Sequence, residues 1–276
     1  MMSREESMAR IEAVFNAASD RFDAPALSFW KRFGQQTVDR LSLGSGDRVL
    51  DVCCGTGASA LPAAVSVGPT GQVLGIDLAE SLLDLARNKS QQRGLNNIEF
   101  RYGDFEKLDL PDESFDAIIC VFGIFFVPDM TAAIRELLRM LRPSGKLAIT
   151  SWGKNIFEPA NQMFWNAVEA ERPDLVTTSM PWEQISNPAA LQALLEAGGA
   201  TLIEIFAEEA THELTSPEDW WTMALGGGYR GIIDQFDPAA KERFRQANLN
   251  FLQTNKVNSL DVDVLYAVAQ KGHDEG

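Results

Sequence analysis

The sequence predicts an α/β fold in which helices flank a doubly wound, mostly parallel sheet of seven strands. Short apolar runs and helical patterns alternate as far as residue 152, the order that builds a parallel sheet. The first apolar run, Val49-Leu50-Asp51-Val52, leads into the glycine turn Gly55-Thr56-Gly57. A strand, a tight glycine turn and a helix starting near Ala58 are together typical of the first unit of a Rossmann-like sheet.

The elements around this unit follow from the same patterns. Helices are expected over residues 5–18 and 26–41, before the first strand. The next three strands are expected at residues 73–77, 98–102 and 115–121. An amphipathic helix over residues 130–141 is stopped by Pro143 and Gly145, and residues 146–152 return as the fifth strand.

The second half of the chain completes the sheet and carries insertions. Residues 155–199 read as mostly helical, with breaks at Pro173 and Pro181, and residues 201–206 read as the sixth strand. The remaining predicted elements are helices at residues 217–225 and 238–253 and a last strand at 261–270. We therefore expect one structural domain with three parts: an N-terminal helical cover (1–45), a cofactor-binding core (46–152), and the rest of the sheet with a helical acceptor lid (153–276).

The acid that ends the first strand indicates the ligand. Gly55, Gly57 and Ala60 satisfy the dinucleotide-binding spacing, which by itself is weak evidence. In a NAD site, however, the turn lies against a pyrophosphate, and the carboxylate of Asp51 would repel that anion. An adenosine ligand that lacks phosphates and carries positive charge suits this acid. S-adenosylmethionine, with its sulfonium and ammonium groups, is such a ligand.

Acids at the ends of two further strands support this interpretation. Asp77 follows Gly57 by about 20 residues, the distance at which a carboxylate reaches ribose hydroxyls. Asp104 can accept from an adenine amino group while Phe105 lies against the ring, and Phe122 follows the fourth strand at the same crevice. The alternative is that these acids are only helix N-caps or turn residues.

Composition restricts the class of protein. A net charge of −15 and the lack of a base-methylation motif argue against a nucleic-acid partner. There is no apolar run of membrane-spanning length and no apolar signal segment. Three cysteines without a pairing pattern favour a reducing, cytoplasmic compartment. Two histidines and no C-x-x-C motif predict an enzyme without a metal.

Six segments resemble the class I S-adenosylmethionine-dependent methyltransferases, in particular the branch that contains the ubiquinone/menaquinone biosynthesis methyltransferases. They are Leu50-Asp51-Val52-Cys53-Cys54-Gly55-Thr56-Gly57, Gly75-Ile76-Asp77, Gly103-Asp104, Phe122-Gly123-Ile124, Val127-Pro128-Asp129 and Leu141-Arg142-Pro143-Ser144-Gly145. The resemblance is close over residues 48–152. It implies an antiparallel last strand between its neighbours, and an N-terminal segment that folds over the cofactor.

The resemblance also completes the expected cofactor site. Its members are Asp51, Cys53, Gly55, Thr56, Gly57, Asp77, Leu78, Asp104, Phe105 and Phe122. This chain departs from the family pattern at two places. Cys53 replaces the first glycine of most of the superfamily. Phe125 and Phe126 replace an Arg-Asn pair that is usual in the quinone branch.

The acceptor is expected to be a small, apolar or aromatic metabolite that receives the methyl group on carbon, oxygen or nitrogen. Its candidate contacts are Phe22, Phe125, Phe126, Trp152 and Trp221. His212 is a weak candidate for a general base, with a surface histidine as the alternative. Other functions remain open: methylation of tRNA or protein, or a silent cofactor-binding protein that serves as an interaction module. The active form is expected to be a monomer or homodimer.

Overall fold

The structure is a computed structural model that describes residues 3–177 and 179–272. Eight strands lie in these residues: β1 (Arg48–Val52), β2 (Gln72–Asp77), β3 (Ile98–Tyr102), β4 (Phe115–Val121), β5 (Leu141–Ile156), β6 (Ala200–Glu208), β7 (Thr211–Glu213) and β8 (Ser259–Lys271). They are joined by ten helices: α1 (Arg4–Ala18), α2 (Phe29–Leu41), α3 (Ala60–Val67), α4 (Glu80–Gln92), α5 (Met130–Met140), α6 (Ala160–Glu171), α7 (Pro188–Gly198), α8 (Pro217–Leu225), α9 (Arg230–Ile233) and α10 (Pro238–Thr254).

The strand order is 3-2-1-4-5-8-6, and the short β7 pairs with β8 outside this path. The first five strands run parallel to one another, whereas β8 is antiparallel to β6. The doubly wound sheet and its antiparallel last strand are therefore confirmed. The chain moves outward from β1 to β3 and then returns to place β4 on the other side of β1. The order thus reverses between β1 and β4.

Contacts between Cα atoms divide the chain into two compact units. The sheet unit comprises Trp30–Lys154, Pro181–Glu208 and Val264–Gly276. The helical unit comprises Met1–Phe29, Asn155–Met180 and Glu209–Asp263.

The core of the sheet unit forms around β1 and β4, which carry buried apolar side chains on both faces. Val49 and Leu50 of β1 are fully buried, as are Ile118 and Ile119 of β4, which is expected for central parallel strands. The alanine-rich α3 lies against this sheet, and its Ala63 and Val67 are also fully buried. Small side chains allow this helix to lie close to the strands that carry the first two acids.

The helical unit has an aromatic core. Phe164 of α6 packs edge-on against Trp220 of α8 and Phe244 of α10. The indole N–H of the buried Trp220 donates to Asn248 Oδ1 at 2.9 Å, so its one polar group is satisfied. The predicted start of α8 is observed, because Ser216 and Asp219 form a capping box there.

The structure differs from the sequence-based boundaries at several points. α3 begins at Ala60, two residues later than expected, and β7 and α9 were not anticipated. β5 begins at Leu141, because Leu141 pairs with Phe115 before the register shifts and Lys146 pairs with Ala117. Pro143 and Gly145 thus lie in an irregularity of the strand and do not separate it from α5.

Candidate functional site

The reversal of strand order places a crevice at the carboxyl ends of β1 and β4. Val52 pairs with Cys120, so these two strands end side by side. Open α/β sheets bind their ligands where the strand order reverses, because the loops from the two strands diverge there. The glycine turn after β1 and the Phe122-Gly123 segment after β4 both start at this point.

The glycine turn has an unusual backbone. Cys53, Gly55 and Gly57 have φ values of 57°, 52° and 84°, in the region that favours glycine. A Cβ atom on Gly57 would lie 3.0 Å from Leu61 Cγ and 3.3 Å from Phe100 Cζ. Gly57 is therefore required both by its φ angle and by the close packing. The turn is tied to the neighbouring strand by Cys54 N–H, which donates to Ile76 O at 3.1 Å.

The carboxylate of Asp77 joins the ends of the first two strands. Its Oδ2 accepts from Gly55 N–H at 2.8 Å, and its Oδ1 accepts from Ala79 N–H at 2.8 Å. Burial raises the pKa of Asp77, although the hydrogen bonds from Ala79 and Gly55 act in the opposite direction. The acid that we expected to reach a ribose thus also holds the glycine turn in place.

Asp51 is fully buried at the base of this turn. Its Oδ2 accepts from Ser59 Oγ at 2.6 Å, whereas Oδ1 is a buried oxygen with no hydrogen-bond partner among the described residues. Burial raises the pKa of Asp51 to about 7, and the nearby charge of Asp77 adds to this effect. An ionised Asp51 is therefore costly without a positive group nearby.

Two features of this turn were missed from the sequence. Ser59, which holds Asp51, has no signature beyond its place at the start of a helix. The other is Gly34 in α2, where a Cβ atom would lie 2.5 Å from the carbonyl carbon and oxygen of Ala58. A glycine within a helix destabilises that helix by about 1 kcal/mol relative to alanine. The presence of Gly34 in a helical pattern was therefore the sign of a close contact that the sequence offered.

The remaining predicted cofactor residues lie on or beside the same turns. Gly103 N–H donates to Asp77 O at 3.0 Å, which brings the end of β3 to the end of β2. Asp104 then caps a short 3-10 helix by accepting from Glu106 N–H at 3.0 Å. The side chains next to these acids and in the glycine turn are buried or half-buried: Thr56, Leu78 and Phe105.

Aromatic rings lie at the end of β4. Phe122, at φ 54°, stacks on Trp152 of β5 with centroids 4.1 Å apart and an interplanar angle of 24°. Trp30 and Phe33 of α2 pack against both rings, with centroids 5.4–6.3 Å apart. We call Trp30, Phe33, Phe122 and Trp152 the aromatic cluster. The sequence predicted Phe122 as a cofactor contact and Trp152 as an acceptor contact. It did not indicate that α2 adds two rings to this cluster.

The other predicted acceptor and base residues divide between the two units. Phe125 and Phe126 follow β4 in the sheet unit, with centroids 5.0 Å apart, and Trp182 packs against Phe125. In the helical unit, Phe22 packs edge-on against Phe15, Trp221 packs against Phe244, and His212 packs against Phe29 with centroids 5.2 Å apart. His212 is part of the short β7.

Neither a candidate metal site nor a candidate membrane-spanning helix lies within residues 3–177 and 179–272. No group of three or more His, Cys, Asp or Glu side chains is arranged to hold a metal ion. None of the helices in these same residues is both long and apolar enough to cross a membrane.

Comparison with known proteins identifies the family. The model of the ubiE/COQ5 methyltransferase family matches residues 1–171. The chain belongs to this family. It is 38% identical to a ubiquinone/menaquinone biosynthesis C-methyltransferase from Pseudomonas putida, over 161 residues that cover 58% of this chain and 60% of that relative. The match thus spans less than two thirds of the relative's length.

Solved structures share the fold over a longer part of the chain. The YcgJ protein from Bacillus subtilis aligns with a TM-score of 0.59 at 18% identity, covering 88% of this chain and 99% of that one. The [4+2]-cyclase SpnF aligns with a TM-score of 0.56 at 25% identity, covering 88% and 80%. Proteins of this fold therefore carry names for more than one reaction.

Proposed function

We propose that this protein transfers a methyl group from S-adenosylmethionine to a small metabolite with an aromatic or other apolar surface. The observation that carries the proposal is the arrangement of Asp51 and Asp77 around the glycine turn, at the point where strand order reverses in a ubiE/COQ5 family chain. A buried, unpaired carboxylate oxygen on Asp51 suits a cationic ligand and opposes a pyrophosphate.

The residues present fit the cofactor. Asp77 accepts backbone hydrogen bonds from Gly55, Ala79 and Leu78, and a carboxylate has about four acceptor sites. Acceptor capacity therefore remains for a ribose hydroxyl. Asp51 would supply the negative charge for the amino acid part of the cofactor, and Asp104 with Phe105 would hold the adenine. Cys53, Gly55 and Gly57 would let the backbone approach the ligand.

When bound, S-adenosylmethionine supplies a methyl group that is already activated by its sulfonium. The protein then has to align the acceptor and exclude water, and well-oriented pairs gain effective molarities on the order of 10⁵–10⁸ M. In the sheet unit the aromatic cluster, with the neighbouring Phe125 and Phe126, supplies apolar rings for this purpose. We assign no general base, and His212 remains the weak candidate.

The relative from Pseudomonas putida suggests which class of acceptor to test first. It is a quinone-biosynthesis C-methyltransferase, so aromatic diols and quinol-like rings are the first class to test. The apolar pair Phe125-Phe126 favours acceptors with few polar groups at that end. The acidic surface, with a net charge of −15, counts against an RNA acceptor.

A methyl-transfer assay tests the proposal. The protein is mixed with S-adenosylmethionine labelled in its methyl group, together with a metabolite extract or a panel of quinols and phenols. We expect label in a small apolar product and an equal amount of S-adenosylhomocysteine. The comparison variant is Asp77→Ala. Its rate of methyl transfer should fall in proportion to its loss of cofactor affinity.

Other outcomes would point to the alternative functions. Label in tRNA or protein would show that the acceptor is a macromolecule and not a small metabolite. Tight cofactor binding with no transfer to any fraction would favour a silent cofactor-binding protein. Either result would overturn the proposal.

A further inference from the structure

Two of the three cysteines lie together at the crevice. Cys53 is the first residue of the glycine turn, and Cys120 is in β4, opposite Val52 in the parallel register. A Cβ atom built on Gly123 would lie 2.8 Å from the sulfur of Cys53 and 2.9 Å from the sulfur of Cys120. Both sulfurs therefore contact the same glycine from neighbouring chain segments.

The third cysteine has a different environment. The sulfur of Cys54 is directed to the neighbouring strand, where it would lie 3.0 Å from a Cβ atom on Gly75. Cys53 is half-buried, whereas Cys54 and Cys120 are buried. A small oxidant can therefore reach Cys53 first, and Cys120 is the neighbouring thiol that can react next.

We propose that Cys53 and Cys120 form an oxidisable dithiol, and that its disulfide weakens cofactor binding. All three cysteines are free thiols in the structure. A disulfide requires sulfurs about 2.05 Å apart and Cβ atoms about 3.5–4.5 Å apart. Two sulfurs that contact one glycine can meet this requirement through a small movement of the turn. This inference rests on the proposed cofactor site only for its functional consequence.

The chemistry needs a two-electron oxidant, for which we take hydrogen peroxide. The Cys53 thiolate attacks one peroxide oxygen, the O–O bond breaks, and a sulfenic acid and hydroxide form. The sulfur of Cys120 then attacks the sulfenic sulfur and displaces its oxygen as a second hydroxide. The two thiol protons convert both hydroxides to water, so one disulfide and two waters result from two thiols and one peroxide.

The surroundings predict a slow reaction at neutral pH. A hydrogen bond to Cys120 and burial raise the pKa of Cys53 above its usual range, and the charges of Asp77 and Cys54 act in the same direction. Only the thiolate attacks peroxide, so the thiol should survive brief exposure and react faster as the pH rises.

The disulfide would act on the cofactor site through the backbone. Cys53 lies two residues before Gly55, whose N–H donates to Asp77 at 2.8 Å. Pulling the sulfur of Cys53 toward β4 shifts the turn against this hydrogen bond. It also fixes the segment that carries Phe122 and Gly123. We expect the dissociation constant for S-adenosylhomocysteine to rise by about tenfold or more.

The test combines mass spectrometry with calorimetry on the full chain. After treatment with hydrogen peroxide, intact mass should fall by two hydrogen atoms, and peptide mapping should join Cys53 to Cys120. Affinity for S-adenosylhomocysteine should fall and recover after reduction. The Cys54→Ala variant should behave the same way, whereas Cys53→Ala and Cys120→Ala should not form the link.

Protection by ligand gives an independent readout that does not need a variant. S-adenosylhomocysteine bound before oxidation should slow formation of the disulfide. Sulfinic or sulfonic acid at Cys53 without a link to Cys120 would overturn the proposal. So would a link that leaves cofactor affinity unchanged. Failure of the unmodified protein to bind S-adenosylhomocysteine at all would instead contradict the proposed function.

Discussion

At the scale of single residues, each of the three strand-end acids has an intramolecular role as well as an expected ligand role. Asp104 is an N-cap, and Asp77 accepts from Ala79 N–H at the start of α4. The alternative reading of these acids as caps is thus partly realised. Asp77 nevertheless also accepts from Gly55, 22 residues away along the chain, and a simple cap does not need this contact. Asp51 accepts from the Ser59 hydroxyl and from the backbone of Ala60 at the start of α3.

The first prediction concerns Asp51 and pH. Its folded pKa of about 7 lies above the ordinary value of 3.8, so the folded protein binds this proton more tightly than the unfolded chain. The contribution of Asp51 to the free energy of unfolding must therefore fall as pH rises from about 4 to about 7. The full loss is at most about 4 kcal/mol, because each pKa unit corresponds to about 1.4 kcal/mol.

The Asp51→Asn variant isolates this contribution, since the amide keeps the shape and an acceptor for Ser59. Urea unfolding of the ligand-free protein at several pH values gives the comparison. The variant should gain stability relative to the unaltered protein as the pH rises from about 4 to about 7, and the difference should level off above the folded pKa of Asp51. A difference that is independent of pH would show that the carboxyl titrates normally.

At the scale of elements, the second prediction concerns the contact between α2 and the glycine turn. Gly34→Ala should destabilise the protein by about 1–3 kcal/mol, because the new methyl group meets backbone atoms of Ala58 and Ser59 that cannot rotate away. An ordinary glycine-to-alanine change within a helix has the opposite sign. Thermal unfolding and cofactor titration measure the two consequences, lower stability and weaker binding.

Gly228→Ala is the matched control for this change. Its new Cβ atom would have no neighbour within 4 Å, and it lies in the helical unit. We expect almost no change in stability or binding. Equal effects of the two substitutions would mean that the close approach of α2 has no special importance for the turn.

The aromatic cluster gives the third prediction. Trp152→Ala removes the ring that stacks on Phe122 and should raise KM for the acceptor or lower kcat. Affinity for S-adenosylhomocysteine should fall much less than it does in Asp77→Ala, because Asp51 and Asp77 are untouched. Trp152→Phe keeps a stacked ring and should restore most of the activity. Loss of melting temperature alone, with normal kinetics, would show that Trp152 only packs the core.

At the scale of the whole molecule, local pattern determined most of the architecture. The bounds of β3 and β4 match those predicted, because these strands are indicated by the pattern of their own residues. The glycine turn and the acids were recognisable for the same reason, since their spacing is local. The irregular start of β5 was not recognisable from the sequence, because it depends on the pairing of Leu141 with Phe115 in β4.

The parts of the site that were missed depend on contacts distant in sequence. Gly34 meets Ala58, and Trp30 and Phe33 meet Phe122 and Trp152. Nothing in the pattern of α2 indicates which residues it will face. The partner of Asp51 is closer, but a serine at a helix start has many other uses. The sequence thus indicated the acids at the strand ends, which we propose bind the ligand, and not the residues that hold these acids.

Calorimetric titration of the ligand-free protein tests the central claim most directly. S-adenosylmethionine and S-adenosylhomocysteine should both bind, and NAD should bind at least roughly a hundredfold more weakly, because Asp51 opposes a pyrophosphate. Asp77→Ala should cost about 1.5–3 kcal/mol of binding free energy for S-adenosylhomocysteine. Tight binding of NAD, or an Asp77→Ala variant with unchanged affinity, would contradict the assignment of this turn to S-adenosylmethionine.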